Sequence, residues 1–244
     1  MTIEIDKETF LELGFVRIDN VITMDELNWI REIYNEMFNE GSDKPVRKEL
    51  GGKDEFGRAA LPQALGISQA ITKFTELKYR KNLEIIAKAL HGESSIFRND
   101  HAILKPAEYG IQTPWHQDQA YHSPEYRFKT INFWLPLEDS FIENGCMWFV
   151  PFTHGGGVVP HEYLKPGDST TAMVAENQEY WHQNGIPVPC PAGSVTVHHS
   201  YCMHYAGPNK TNAPRRAYIS VFESDKRKLD KPLHFPWQNQ NNEI

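Results

Sequence analysis

The chain has little of several things, and each shortage removes a class of protein. It holds three cysteines, Cys146, Cys190 and Cys202, and no CxxC pair. Three cysteines cannot build the disulfide framework of a small secreted scaffold, and a structural zinc site of the CxxC kind is not expected. No apolar run approaches the roughly 20 residues that span a bilayer. The opening Met1-Thr2-Ile3-Glu4-Ile5-Asp6 is acidic and lacks a basic stretch followed by an apolar one, so no secretory signal is expected. The closing Asn241-Asn242-Glu243-Ile244 is not a peroxisomal address. A cytoplasmic location is the expectation. Positive charge is short as well: 25 Lys and Arg against 32 Asp and Glu leave a net −7. Such a surface has no general attraction for nucleic acid or anionic membranes, so neither is an expected partner. Internal repeats and low-complexity segments are absent from the sequence.

What remains is an ordinary globular composition, 40% hydrophobic and 23% charged over 244 residues, which suits one large domain, 1–244. Its first part, 1–93, reads as mainly helical. A short helix over 7–13 ends at Gly14, and Phe15-Val16-Arg17-Ile18 alternates as a strand. Thr23 with Glu26 forms a capping-box pattern for a helix carrying Leu27, Ile30, Ile33, Tyr34, Met37 and Phe38, stopped by Gly41. Residues 41–60 read as a charged, glycine-bearing loop, a candidate lid, and 68–90 as a further helix. From about residue 94 the pattern changes to short β-prone runs punctuated by Pro and Gly: 95–105, 130–137, 145–151, 157–161, 193–199 and 215–223. Many short strands after N-terminal helices predict an α+β, mainly β domain with a jelly-roll, cupin-like core over 94–224. The polar stretch 225–244 is expected on the surface.

Chemistry concentrates in Thr113-Pro114-Trp115-His116-Gln117-Asp118. On an extended chain, residues i and i+2 share a face, so His116 and Asp118 can supply two ligands to one metal. With 11 His in the chain, a His-x-Asp pair by itself carries little weight. His204 is the candidate third ligand, and Arg215 follows it on the β-prone run Arg215-Arg216-Ala217-Tyr218-Ile219-Ser220-Val221-Phe222. Two imidazoles and one carboxylate suit ferrous iron and leave positions open for a chelating co-substrate and dioxygen. An inward arginine grips a carboxylate bidentately, as a 2-oxoacid co-substrate requires.

At this point the chain resembles the phytanoyl-CoA dioxygenase family of iron(II)/2-oxoglutarate-dependent oxygenases. The matching segments are Gly14 to Ile18, Thr113 to Asp118, Glu143-Asn144-Gly145-Cys146-Met147-Trp148-Phe149-Val150-Pro151, and His204-Tyr205-Ala206-Gly207-Pro208-Asn209 with Arg215. The resemblance implies a double-stranded β-helix with iron(II) on His116, Asp118 and His204. It implies that Arg215, with help from Thr113, binds the distal carboxylate of 2-oxoglutarate, and that O2 is the oxidant. Arg216 would point to the opposite strand face. Trp134 matches a family tryptophan beside the co-substrate, and it reads equally well as a core residue. His101 either touches co-substrate or substrate or packs against a strand. Where the family often has serine two residues after the distal histidine, this chain has Ala206, which removes one hydroxyl. Halogenases of the superfamily have Ala or Gly in place of the ligand carboxylate, so Asp118 argues for hydroxylation, or for another oxidative outcome such as desaturation or ring formation, and against halogenation.

Candidate substrate contacts follow from neighbouring positions. Tyr121 is the first choice, with Gln119 and His122 beside it. Asn132 shares a strand face with Trp134 and serves either substrate or a backbone group. Arg58 and Arg47 belong to the loop and read as lid residues or solvated charges. Trp148 reads as core more than pocket. The remaining histidines, His198 among them, read individually as surface or packing residues. No long basic patch offers a coenzyme A clamp, so a small polar or amphipathic metabolite is the expected substrate. The expected reaction is its hydroxylation, with 2-oxoglutarate converted to succinate and CO2. The alternatives are a cupin-type metalloenzyme without 2-oxoglutarate, a non-catalytic binding protein, and an oxygenase acting on a protein side chain. Monomer and homodimer are equally compatible with the sequence.

Overall fold

The computed structural model describes residues 3–38, 46–53 and 56–238. Among these, two antiparallel sheets face one another as a double-stranded β-helix. The larger sheet runs in the order Phe15–Ile18, Val195–His199, Tyr126–Pro136, Arg215–Lys228, Ile96–Lys105, Pro62–Leu65, Val46–Glu49. The smaller runs Ile186–Val188, Met147–Phe149, His204–Ala206, Thr113–His116. A separate hairpin pairs His161–Tyr163 with Met173–Ala175.

Alternation along each strand sorts the two faces of the larger sheet. In Tyr126–Pro136, Ile131, Phe133 and Leu135 join the helices, whereas Asn132 and Trp134 face the smaller sheet. Helices Met24–Met37 and Lys78–His91 cover the outer face with Leu27, Ile30, Leu83 and Ile86. Burial of each such side chain contributes on the order of 1.5–3 kcal/mol, so packing rather than propensity holds these helices in place. Asp100 adds a polar anchor on the same face. It accepts the Tyr218 hydroxyl at 2.6 Å and the Ser68 N–H at 3.1 Å, and pairs with Arg80 at 3.4 Å.

The helix Lys7–Leu13 and its Gly14 stop occur as expected, the glycine at φ 87°. Thr23 caps the second helix by accepting the Glu26 N–H at 3.3 Å. That helix ends at Met37 with Phe38 as its cap, and Gly41 lies outside the described residues.

Several expectations are overturned. Within the 41–60 loop, Val46–Glu49 is a strand that pairs with Pro62–Leu65 and extends the larger sheet. The first 93 residues are therefore partly sheet as well as helical support. The stretch 68–90 is three pieces: a short helix Ile67–Ala70, a 3₁₀ turn Thr72–Thr75 and the helix Lys78–His91. Ile71 and Leu77 adopt extended ψ values of 87° and 141° and break the run. The expected 157–161 strand lies at His161–Tyr163. The polar tail is exposed at most of its described positions, as expected, but its first residues continue the strand to Lys228, and Phe235 and Trp237 are buried. The Trp237 indole N–H donates to the Ala120 carbonyl at 3.1 Å, so the tail braces the segment that follows Asp118.

Candidate metal centre

His116 ends one strand of the smaller sheet and His204 opens its neighbour, and the two are direct register partners. Opposed residues in an antiparallel pair stand about 4.5–5.5 Å apart at Cβ, which sets the rings side by side with centroids 4.1 Å apart. The Pro114 carbonyl accepts from His116 Nδ1 at 2.8 Å, and the Cys202 carbonyl from His204 Nδ1 at 3.0 Å. A carbonyl only accepts, so each Nδ1 carries a proton, and the Nε2 of each ring is the atom left to ligate a metal. Both Nε2 atoms face Asp118 Oδ1, at 3.7 and 3.6 Å. Among the described residues, His116, Asp118 and His204 are the one group whose donor atoms gather within 4.8 Å of one another.

The local chain explains how the three candidate ligands meet. Gln117 is extended (φ −116°, ψ 129°), so His116 and Asp118 point one way and Gln117 the other. Gln117 is pinned there by the carbonyls of Gly157 and Tyr201 and by the Val159 N–H. Asp118 then starts a 3₁₀ turn, Asp118–Tyr121, instead of continuing a strand. Side chains three apart eclipse in such a turn, so Tyr121 returns to the face of Asp118 while Gln119 turns inward. Burial opposes ionisation of Asp118, but His204, His116 and His198 outweigh it and hold the carboxyl well below its usual range. Burial, reinforced by His116, holds His204 well below the usual imidazole range. A deprotonated carboxylate and neutral imidazoles are the forms that ligate a metal.

The triad opens onto a cavity of about 290 Å³ between the sheets. Arg215 lines it, 1% exposed, with Nε and Nη1 buried and without hydrogen-bond partners. Its guanidinium lies 5.3 Å from the Trp134 ring. Burial lowers its pKa to about 10, so it stays charged at neutral pH. A buried cation with open donors is costly unless a carboxylate completes it, and a carboxylate fits its fork. Arg216 points to the other face and pairs with Glu138 at 2.5 Å. The residues present thus fit both the metal and a dicarboxylate co-substrate.

Other predicted residues divide between the cavity and its surroundings. Thr113, Trp134, His101, Tyr121 and Asn132 line it. Burial lowers the His101 pKa to about 4, which keeps that ring neutral. The Tyr121 hydroxyl accepts the Met173 N–H at 2.7 Å, fixing the ring at the cavity wall. Asn132 lines the cavity beside the triad, where its amide donates to Asp118 Oδ2. Gln119 is fully buried away from the cavity, with its backbone N–H on the Ser200 carbonyl. His122 packs on Phe128, and Arg58 is exposed and stacks over Tyr109 at 4.1 Å. These three do not line the cavity. Arg47 lies on a strand of the sheet, and Trp148 packs outside the cavity against His182. His198, expected as a packing residue, instead lines the cavity and reaches Asp118 Oδ2 at 3.0 Å. Its inward position on the Val195–His199 strand was available from alternation, the same signal that singled out Asn132.

Fold and site together are of the kind that characterises the iron(II)/2-oxoglutarate-dependent oxygenases. The family model for phytanoyl-CoA dioxygenase (PhyH) matches residues 10–217, and the chain belongs to that family. Among solved structures, EvdO2 from Micromonospora carbonacea var. aurantiaca is 31% identical, with a TM-score of 0.83 and 95% of each chain covered, and it is also known complexed with 2-oxoglutarate. A phytanoyl-CoA dioxygenase of Arabidopsis thaliana is 26% identical over 251 residues, covering 88% of this chain and 87% of the relative. The phytanoyl-CoA dioxygenase domain-containing protein 1 of Bos taurus is 26% identical over 147 residues, covering 59% of this chain. The match spans only 50% of that bovine protein's own length. No helix among the described residues is long and apolar enough to cross a membrane.

Proposed function

We propose that His116, Asp118 and His204 hold iron(II), that Arg215 and Thr113 bind the distal carboxylate of 2-oxoglutarate, and that the chain hydroxylates a small neutral molecule. Succinate and CO2 are the co-products. The observation that carries this reading is the buried, partnerless face of Arg215 in the same cavity as the triad. When bound, iron with 2-oxoglutarate supplies the oxidising chemistry and activates O2. The chain's residues do the rest. His116 and His204 present fixed lone pairs, Asp118 supplies negative charge, Trp134 and Ile219 exclude water, and Arg215 sets the co-substrate's orientation.

Charge supports the substrate class. Among the described lining residues, Arg215 is the one Lys or Arg side chain. Once a carboxylate occupies it, no Lys or Arg among the described lining residues remains for an anionic substrate, whose desolvation would then be uncompensated. Ser169, Thr170, Thr171 and Gln63 offer neutral hydrogen-bonding groups at the wall. The cavity volume is at the low end for ligand sites, which favours a small molecule over a protein side chain. A metalloenzyme without 2-oxoglutarate has no use for the open guanidinium.

Anaerobic titration with Fe(II) and 2-oxoglutarate tests the assignment. Wild type is expected to develop the metal-to-ligand charge-transfer band of the chelated co-substrate. His116→Ala and His204→Ala should lose it, and Arg215→Ala should need far more 2-oxoglutarate. An unchanged titration in Arg215→Ala overturns the co-substrate role. Substrate-stimulated succinate formation across neutral and anionic candidates tests the substrate class.

A further inference from the structure

The Asp118 carboxylate is held from two sides. Oδ1 faces Nε2 of His116 and of His204, while Oδ2 accepts from His198 Nε2 at 3.0 Å and from the Asn132 amide. His198 and Asn132 are register partners on adjacent antiparallel strands of the larger sheet. One cross-strand pair therefore delivers two donors to one oxygen, facing the His116–His204 cross-strand pair of the smaller sheet. The His198 Nδ1 is buried with no partner. An imidazole donates only through an N–H, and a carboxylate oxygen only accepts, so Nε2 carries a proton that points at Oδ2.

A carboxylate can meet a metal through one oxygen or two. An oxygen already accepting two hydrogen bonds has its lone pairs engaged, and turning it toward a metal would leave both donors buried and unpaired. A second oxygen on the metal would also fill a position that a chelating 2-oxoacid needs. We propose that His198, acting with Asn132, is a positioning residue that keeps Asp118 on the metal through Oδ1 alone and so keeps the site open for bidentate 2-oxoglutarate. The proposal rests on the metal site described above. It separates two properties that are usually lost together: removing the donors should spare metal binding and impair chelation of the co-substrate.

Cobalt(II) provides the test, because its visible spectrum reports coordination number without turnover. Anaerobic protein is loaded with CoCl2, its metal affinity is measured by competition with a chromophoric chelator, and 2-oxoglutarate is titrated in while the spectrum is followed. In His198→Leu/Asn132→Leu, 2-oxoglutarate affinity is expected to fall by about 10- to 100-fold, the size of effect that losing such outer partners has on activity at metal sites. The Co(II) spectrum before co-substrate should shift, and cobalt affinity should change by much less. His198→Gln, whose amide can donate to the same oxygen, should recover most of the affinity. Should the double variant fail to fold, His198→Leu against His198→Gln decides the matter. A wild-type spectrum and titration in His198→Leu overturn the proposal, as does a parallel loss of cobalt and 2-oxoglutarate that His198→Gln does not rescue. A wild type that binds no cobalt, or a His116→Ala variant that binds it normally, overturns the metal-site reading itself and this proposal with it.

Discussion

At Arg215 the needs of the site and of the fold oppose each other. A guanidinium that is 1% exposed, with Nε and Nη1 unpartnered, is an uncompensated buried charge whenever the co-substrate is absent. Leaving a buried polar group unsatisfied costs about 1–3 kcal/mol. Arg215→Met keeps the volume and removes the charge. In protein free of metal and co-substrate it should unfold at higher urea, with stability raised by about 1–2 kcal/mol. The same variant should lose at least about 2 kcal/mol of 2-oxoglutarate binding, the worth of a charge-assisted pair. A destabilised variant that still binds 2-oxoglutarate normally would contradict both halves. At this scale the gathering of His116, Asp118, His204 and Arg215 around one cavity was legible, because residue type and spacing already encode it. Gln119 and His122 were misplaced because the chain leaves extended geometry at Asp118, and a 3₁₀ turn sends i+1 inward while returning i+3 to the cavity. His198 was overlooked because histidine alone does not distinguish a packed ring from a donor.

The elements show a similar split between visible motif and hidden partner. Thr23 and Glu26 have the spacing of a capping box, and the threonine caps as expected. Glu26 does something the spacing does not reveal. Its carboxylate reaches the first turn of the next helix and accepts the N–H groups of Lys78 at 2.6 Å and Tyr79 at 3.2 Å. Leu77, the N-cap residue there, has no side-chain acceptor, so Glu26 supplies both the missing cap and a negative charge at the positive end of the helix. Glu26→Ala should therefore destabilise the protein by about 1–2 kcal/mol, the cost of a lost cap. Glu26→Gln should recover part of that, since the amide oxygen still accepts. Urea unfolding of the two variants is the check, and equal, negligible losses would remove the cross-helix role. Edge position explains other surprises. Val46–Glu49 ends the larger sheet among the described residues, and three of its four residues are charged, a composition that suits a sheet edge. Pro114 and Pro187 lie in strands at the two edges of the smaller sheet, where a missing N–H is tolerated.

Over the whole molecule, strand order is the part that periodicity could not supply. Arg215–Lys228 pairs with both Tyr126–Pro136 and Ile96–Lys105, contacts that join residues about a hundred positions apart. Only the family resemblance carried that topology. The same enclosure that builds the cavity also buries histidines throughout the fold. Burial lowers His91, His101 and His161 to about 4 and His199 to about 3. An unfolded histidine titrates near 6.5, so between pH 6.5 and 4 the unfolded chain binds protons that the folded one refuses. Stability therefore rises with pH through that window and is lost as pH falls. The depressed Asp118 acts in the same direction at lower pH, since its contribution is lost as pH falls through its folded pKa. In metal-free protein, the unfolding free energy should fall between pH 6 and 5 by more than the roughly 1.4 kcal/mol per unit that one proton gives. His91 isolates one contribution: both ring nitrogens are buried without partners, and its ring lies 5.6 Å from that of His199. His91→Leu should flatten the slope by about one proton and raise stability most at pH 5. Urea unfolding at a series of pH values measures both, and a slope of one proton or fewer in wild type, or no change in His91→Leu, would refute the account.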